Sequence, residues 1–199
     1  MPIPEPTRPV GHSAYGRRDI DLSELAVTAS GCGQVIGADE DGRAVALPLF
    51  GPQIARVEIC GTLHLAQQAV LRSLALGARV LVHSRRPGLW RDMVDEVDDH
   101  DLLWVADFNR GAIQAGFDRN YSVEMFDGVP ERSVRAGVTS MVVAAPNTAV
   151  TPSADVALEL VSLADATVKV STRAGSAMVT MVATDDEMRY IKASANNID

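Results

Sequence analysis

The residues able to do chemistry lie around one stretch, Arg56 to Trp90, and they are few. Gly61 and Thr62 close a short apolar run at Val57, Ile59 and Cys60, and His64, Gln67 and Gln68 follow at once. A turn of this kind, between a strand and the N-terminus of a helix, is where phosphate is met by glycine-bounded backbone and by the positive end of the helix dipole. The dinucleotide fingerprint needs three glycines at fixed spacing, and the P-loop needs a lysine and a hydroxyl; neither pattern is present. Cys60 could serve as a nucleophile at a helix N-terminus, where thiolate is favoured, although a buried strand cysteine is the commoner case. Arg85 and Arg86 follow the next apolar run, where some dinucleotide-binding proteins hold a ribose phosphate. Two arginines at a strand end are more often solvated loop residues.

No pair of the four histidines, and no Cys/His pair, stands at metal-ligand spacing, so no metal or cofactor site is expected. His83 ends an apolar run and is expected to hydrogen-bond locally. There is no GxSxG elbow, and the acidic run Asp95–Asp101 lacks the calcium-loop pattern. No enzyme signature survives.

The elements that must carry these residues can be read from periodicity. Arg56–Cys60 is a strand, and Leu63, Ala66, Val70 and Leu74 recur at helical spacing behind a Thr62 N-cap, with Gly77 ending the helix. Residues 78–82 are apolar apart from Arg79, as a strand buried on both faces is. The expectation is a βαβ unit in which strands 56–60 and 78–82 are parallel neighbours and helix 62–76 crosses between them. Leu63, Val70 and Leu74 are expected in the core, and His64, Gln68 and Arg72 outside it.

Around this unit the chain is expected to form one domain. The first nine residues contain four prolines, so 1–20 reads as a flexible tail, with Asp19–Leu25 as a turn of helix and 21–199 as a single cytoplasmic α/β domain. Gln34–Ala38 and Arg43–Leu49 form a hairpin about the Asp41-Gly42 turn, and Gly51 and Pro52 punctuate the chain ahead of Arg56. Pro87 opens a helix with Trp90, Met93, Val94 and Val97 on one face. Leu102–Ala106, Tyr121–Phe126 and Gly137–Ala145 are strand-like, and 107–119 shows no period. Val156–Ser162, Thr167–Thr172 and Ala177–Ala183 read as an antiparallel meander, followed by a helix Asp185–Ala193 with Thr184 and Glu187 placed for a capping box. The fold class is therefore α/β: a mixed sheet built on a βαβ unit, with an antiparallel C-terminal meander and helices packed on the sheet.

Composition narrows the function classes. Hydrophobic residues make up 47% of the 199, enough for a substantial core. A net charge of −8 argues against nucleic acid and against an anionic membrane surface. No apolar run approaches the length of a membrane span, the start lacks a signal-peptide core, and two cysteines make a disulfide framework unexpected.

Two segments, GCGQVIGADEDGRAVALPLFGP and VEICGTLHLAQQAVLRSLALGARVLVHSRRPGLW, carry a resemblance. Their GCGQ–IGAD hairpin, LAQQ helix start, ALGARVLVHS strand and following arginine-proline-x-x-tryptophan resemble the second half of the EccE component of mycobacterial type VII (ESX) secretion systems. Gly61, Leu63, Leu65, Ala66, Gln67, Gln68, Gly77, Arg86, Pro87 and Trp90 match. The match is good from about Gly31 to Trp90, and residues 137–192 are compatible with it. The resemblance implies a non-catalytic structural and interaction domain at the cytoplasmic face of the inner membrane, assembling with EccB, EccC and EccD. No catalytic residues are carried over. The family has transmembrane helices that this chain lacks, so membrane association is expected only through segments absent from it. The alternative is a nucleotide- or nucleotide-sugar-binding Rossmann-like domain. The surface expected to make protein contacts comprises His64, Gln68, Arg85, Arg86 and Trp90, because arginine and tryptophan dominate interface energetics. Trp90 could equally be core, with the arginines at its rim.

Overall fold

A computed structural model describes residues 33–47, 49, 56–110, 120–132, 135–145 and 148–195. The expectations for the tail 1–20, for Asp19–Leu25 and for Gly51-Pro52 lie outside the described residues.

Among the described residues, ten strands form one mixed sheet. In chain order they are β1 (Gln34–Ala38), β2 (Ala44–Leu47), β3 (Arg56–Cys60), β4 (Val80–Ser84), β5 (Leu103–Asp107), β6 (Val123–Asp127), β7 (Thr139–Ala144), β8 (Val156–Ser162), β9 (Thr167–Thr172) and β10 (Gly175–Thr180). Helix α1 (Leu63–Ala75) joins β3 to β4, and a 3₁₀ turn at Pro87–Trp90 leads into α2 (Arg91–Val97) between β4 and β5. Helix α3 (Asp185–Ala195) is the last described element. The spatial order is β2-β1-β10-β9-β8-β3-β7-β6-β4-β5. Strands β8, β3, β7, β6, β4 and β5 run parallel, and β9, β10, β1 and β2 continue the sheet antiparallel. The α/β class stands, as do the hairpin and the antiparallel meander as pairings, but the strand read as Ala177–Ala183 lies at Gly175–Thr180 and the one read as Arg43–Leu49 at Ala44–Leu47.

The pairing expectation fails. The strands read as 56–60 and 78–82 are parallel in direction but are not neighbours: β7 and β6 lie between β3 and β4. A 13-residue helix is about 20 Å long, and three strand spacings come to about 14 Å, so α1 can cross obliquely over two inserted strands. Local periodicity reports that a crossover exists; it does not report how many strands it spans.

The winding follows from handedness. Right-handed crossovers from β3 to β4 to β5 put α1 and α2 on one face, and the return passes through β6, β7 and β8 must then run over the other. The contacts agree. Val57, Ile59, Val80 and Val82 share a core with Leu65, Ala66, Val70, Trp90 and Met93. On the opposite face, Glu58 accepts hydrogen bonds from the Thr151 amide (3.0 Å) and hydroxyl, and Ser140 donates to Glu131 (2.5 Å). Thr151 and Glu131 both belong to return loops.

Helix α1 corrects a second expectation. Val70 is fully buried, but Leu63 and Leu74 are only half-buried, and Gln68 and Arg72 are buried. The helix is enclosed by the parallel strands on one side and by β1 and α3 on another, so its polar stripe also faces protein. Arg72 uses all five of its N–H groups there. It donates to the carboxylate of Glu187 (2.6 and 3.0 Å) and to the carbonyls of Val35 (3.0 Å), Ile36 (2.7 Å) and Val182 (2.9 Å). Thr62 occupies the N-cap position without a side-chain cap bond. The helix ends in a Schellman motif: the Gly77 amide donates to Leu74 O (2.8 Å) and the Ala78 amide to Ser73 O (3.0 Å), with Gly77 at φ +85°. The capping box of α3 is formed as expected, Thr184 N to Glu187 Oε2 at 3.1 Å and Glu187 N to Thr184 Oγ1 at 3.0 Å.

Candidate functional site

At the carboxyl end of the parallel strands, the chain leaves β4 toward the helical face and leaves β6 toward the loop face. Adjacent strands whose exits diverge open a crevice, the usual ligand position in such sheets. The register sets Ser84 beside Asp127 there.

Asp127 is fully buried and accepts from four donors, as many as a carboxylate has lone-pair positions. Ser84 Oγ (2.8 Å) and Trp90 Nε1 (3.0 Å) donate to Oδ2. Arg86 Nη2 donates to Oδ1 (2.7 Å), and Arg86 Nε is shared between both oxygens at 3.1 Å. Ser84 Oγ in turn accepts the Arg86 amide (2.9 Å). The bond to Asp127 raises the Arg86 guanidinium above its ordinary value, burial opposing and charge attraction assisting. A carboxylate so occupied is a structural anchor. It holds the turn Arg85–Trp90 against the sheet and has no oxygen left for a substrate proton.

The same turn is tied to α1, since Gln67 Nε2 donates to Leu89 O at 2.9 Å. The LAQQ helix start and the arginine-proline-x-x-tryptophan segment therefore interlock. Gly61 is also occupied: a Cβ there would lie 2.9 Å from Leu160 Cβ, with Leu65 Cδ2 at 3.4 Å. Leu160 and Leu65 thus fill the space that a side chain at this turn would take.

The residues expected to form one contact surface are thus divided. Trp90 is wholly buried and Gln68 nearly so, and neither is available to a partner in this fold. The arginine and tryptophan types that mark interfaces also build a buried, charge-tied turn, and here Trp90 is core with Arg86 at its rim. The Arg86 side chain is 48% exposed but held by Asp127. His64 is half-buried, and burial lowers its imidazole below the ordinary value. The Arg85 side chain alone is exposed and outside this network. Its guanidinium lies 5.5 Å from the centroid of Phe108, just past β5, and that of Arg132, in the loop after β6, lies at the same distance from the same ring.

Cys60 is buried, and burial, followed by the charges of Glu58 and Glu159, raises its thiol, the reverse of what a nucleophile needs. His83 hydrogen-bonds to Glu124 (3.3 Å) and stacks on Phe126 (5.0 Å between centroids). Among the described residues no three His, Cys, Asp or Glu side chains are grouped to hold a metal, and no helix is long and apolar enough to cross a membrane. A cavity of about 450 Å³ lies elsewhere, lined by Leu71, Leu74, Leu76, Val97 and Tyr190 beside Arg72.

Sequence reasoning missed Asp127, which falls just past the strand read as Tyr121–Phe126. It also missed Phe108 and Arg132. The one signal for Asp127 was an acid at the carboxyl end of an apolar strand; nothing local marks the other two.

The chain matches no protein-family model and no curated protein.

Proposed function

We propose that this chain is a non-catalytic structural and interaction domain of a membrane-embedded type VII secretion complex, EccE-like, working at the cytoplasmic face of the inner membrane beside EccB, EccC and EccD. Attachment to the membrane would be made by segments outside this chain. The observation that carries the reading is the saturated Asp127. The polar groups at the crevice are consumed in holding Arg86 and Trp90, two of the residues that match the EccE pattern. Gly61, Gln67 and Gly77, which also match, build the fold as well. A pattern whose members shape a scaffold suits a module that presents a surface, and it does not require a ligand.

Co-expression of the tagged protein with EccB, EccC and EccD, detergent extraction and co-purification test this reading. Recovery of the four together is expected; consistent failure to recover any partner overturns it. Calorimetric titration with ATP, GTP, NAD(P) and UDP-sugars is expected to show nothing tighter than the millimolar range. A micromolar signal would transfer the assignment to the nucleotide-binding alternative.

A further inference from the structure

We infer that Arg85, Phe108 and Arg132 form a docking surface for a carboxylate-rich protein segment. This deepens the interaction-domain reading and rests on it.

Three loops converge on this spot from the carboxyl ends of three adjacent parallel strands: Arg85 after β4, Phe108 after β5 and Arg132 after β6. Both guanidiniums lie 5.5 Å from one phenyl ring, so they are at most twice that distance apart. That separation is comparable to the Debye length of about 8–10 Å at physiological salt, so the two charges act together on one anionic partner. Both arginines are exposed, and neither has an ion-pair partner among the described residues. By contrast Arg56, Arg72, Arg86 and Arg173 each meet a carboxylate of this chain. The loops that carry Arg85 and Phe108 are also tied to each other. Asn109 Nδ2 donates to Arg85 O (2.9 Å), the Asn109 amide donates to Asp107 Oδ1 (2.9 Å), and the neighbouring Arg86 is clamped by Asp127. Two like charges held beside one ring, on a chain of net charge −8, are relieved by an incoming anion.

The choice between anions follows from shape. Small phosphate ligands take enclosed sites with convergent backbone amides, whereas the two arginines stand exposed over a half-buried Phe108 and the 450 Å³ cavity is lined by other residues. An extended acidic segment can reach both guanidiniums and lay an apolar side chain on Phe108.

The test uses the whole chain and a fluorescein-labelled poly-glutamate peptide, followed by anisotropy at low and physiological salt. Binding that weakens with salt is expected. The double reversal Arg85→Glu/Arg132→Glu should reduce affinity about tenfold or more. Arg43→Glu/Arg79→Glu, the same charge change at exposed sites elsewhere, should leave it within about twofold. Equal loss in both variants would show non-specific attraction and overturn the proposal. So would displacement of the peptide by micromolar pyrophosphate, which would identify a phosphate site instead. Thermal melts of both variants should match the parent, so that loss of binding is not loss of fold. Co-purification separates the two levels of inference. Assembly that survives Arg85→Glu/Arg132→Glu moves the contact surface and leaves the domain reading standing; a parent chain that never assembles removes the reading itself.

Discussion

Replacing Asp127 tests whether the crevice is an anchor or a ligand site. In Asp127→Ala the hydroxyl of Ser84 and the indole N–H of Trp90, both on fully buried residues, lose their acceptor. Each buried donor left unpaired costs about 1–3 kcal/mol. Arg86 is 48% exposed and can turn to water, so its part must be discounted. The expected loss is about 3–5 kcal/mol. Asp127→Asn should cost less, about 1–3 kcal/mol, because one amide oxygen can still serve Ser84 and Trp90 while its NH₂ displaces Arg86 toward solvent. Urea unfolding followed by far-UV circular dichroism gives both numbers. Trp90→Phe, alone and combined with Asp127→Ala, closes a double-mutant cycle with an expected coupling of about 1 kcal/mol or more. A loss below about 1 kcal/mol for Asp127→Ala, with no coupling to Trp90, would refute the anchor and leave a buried carboxylate available for chemistry.

Arg72→Ala strands Glu187 and three carbonyls in a largely buried place, and about 3–5 kcal/mol of stability should be lost in the same assay; a near-neutral result would mean that water replaces the guanidinium. Gly61→Ala forces a Cβ to 2.9 Å from Leu160 Cβ, which cannot swing aside as a flexible chain end would. It should destabilise by about 1–3 kcal/mol, and a double-mutant cycle with Leu160→Gly, which removes the clashing Cβ, should show the two losses to be less than additive. His64 titrates in the folded chain below its ordinary 6.5, because burial disfavours the charged ring. The unfolded chain therefore takes up this proton first as pH falls, and stability declines from about pH 6.5 down to the folded value. His64→Gln should flatten the melting temperature across that window, and an unchanged pH profile would remove His64 from the account.

What the sequence yields and what it hides divide along the range of the interaction. The Schellman end at Gly77, the capping box of Thr184 and Glu187, the Asp41-Gly42 hairpin and the alternation through β8, β9 and β10 are all decided within a few residues, and all are legible. Strand neighbours are not. Parallel strands such as Val57–Cys60, Val80–His83 and Met141–Ala144 present much the same apolar run, so pairing is chosen by the whole sheet. Arg72 reads as a solvent residue on a polar stripe because its partners lie 36 to 115 positions away. Arg86 and Trp90 show the same limit at the candidate site. Arginine and tryptophan are enriched at interfaces, yet an acid buried among apolar side chains also recruits a guanidinium and an indole N–H to satisfy it. Composition cannot separate the two uses; the deciding residue is Asp127, 41 positions from Arg86 and 37 from Trp90. The cluster of Arg85 and Arg132 on Phe108 is the complementary case, formed where three strands end side by side, with no carboxylate of this chain paired to either guanidinium among the described residues. Distant pairing thus removes one arginine of the Arg85-Arg86 pair from the surface chemistry and leaves the other to it, and that division is what makes Arg85 and Arg132 the informative positions to reverse.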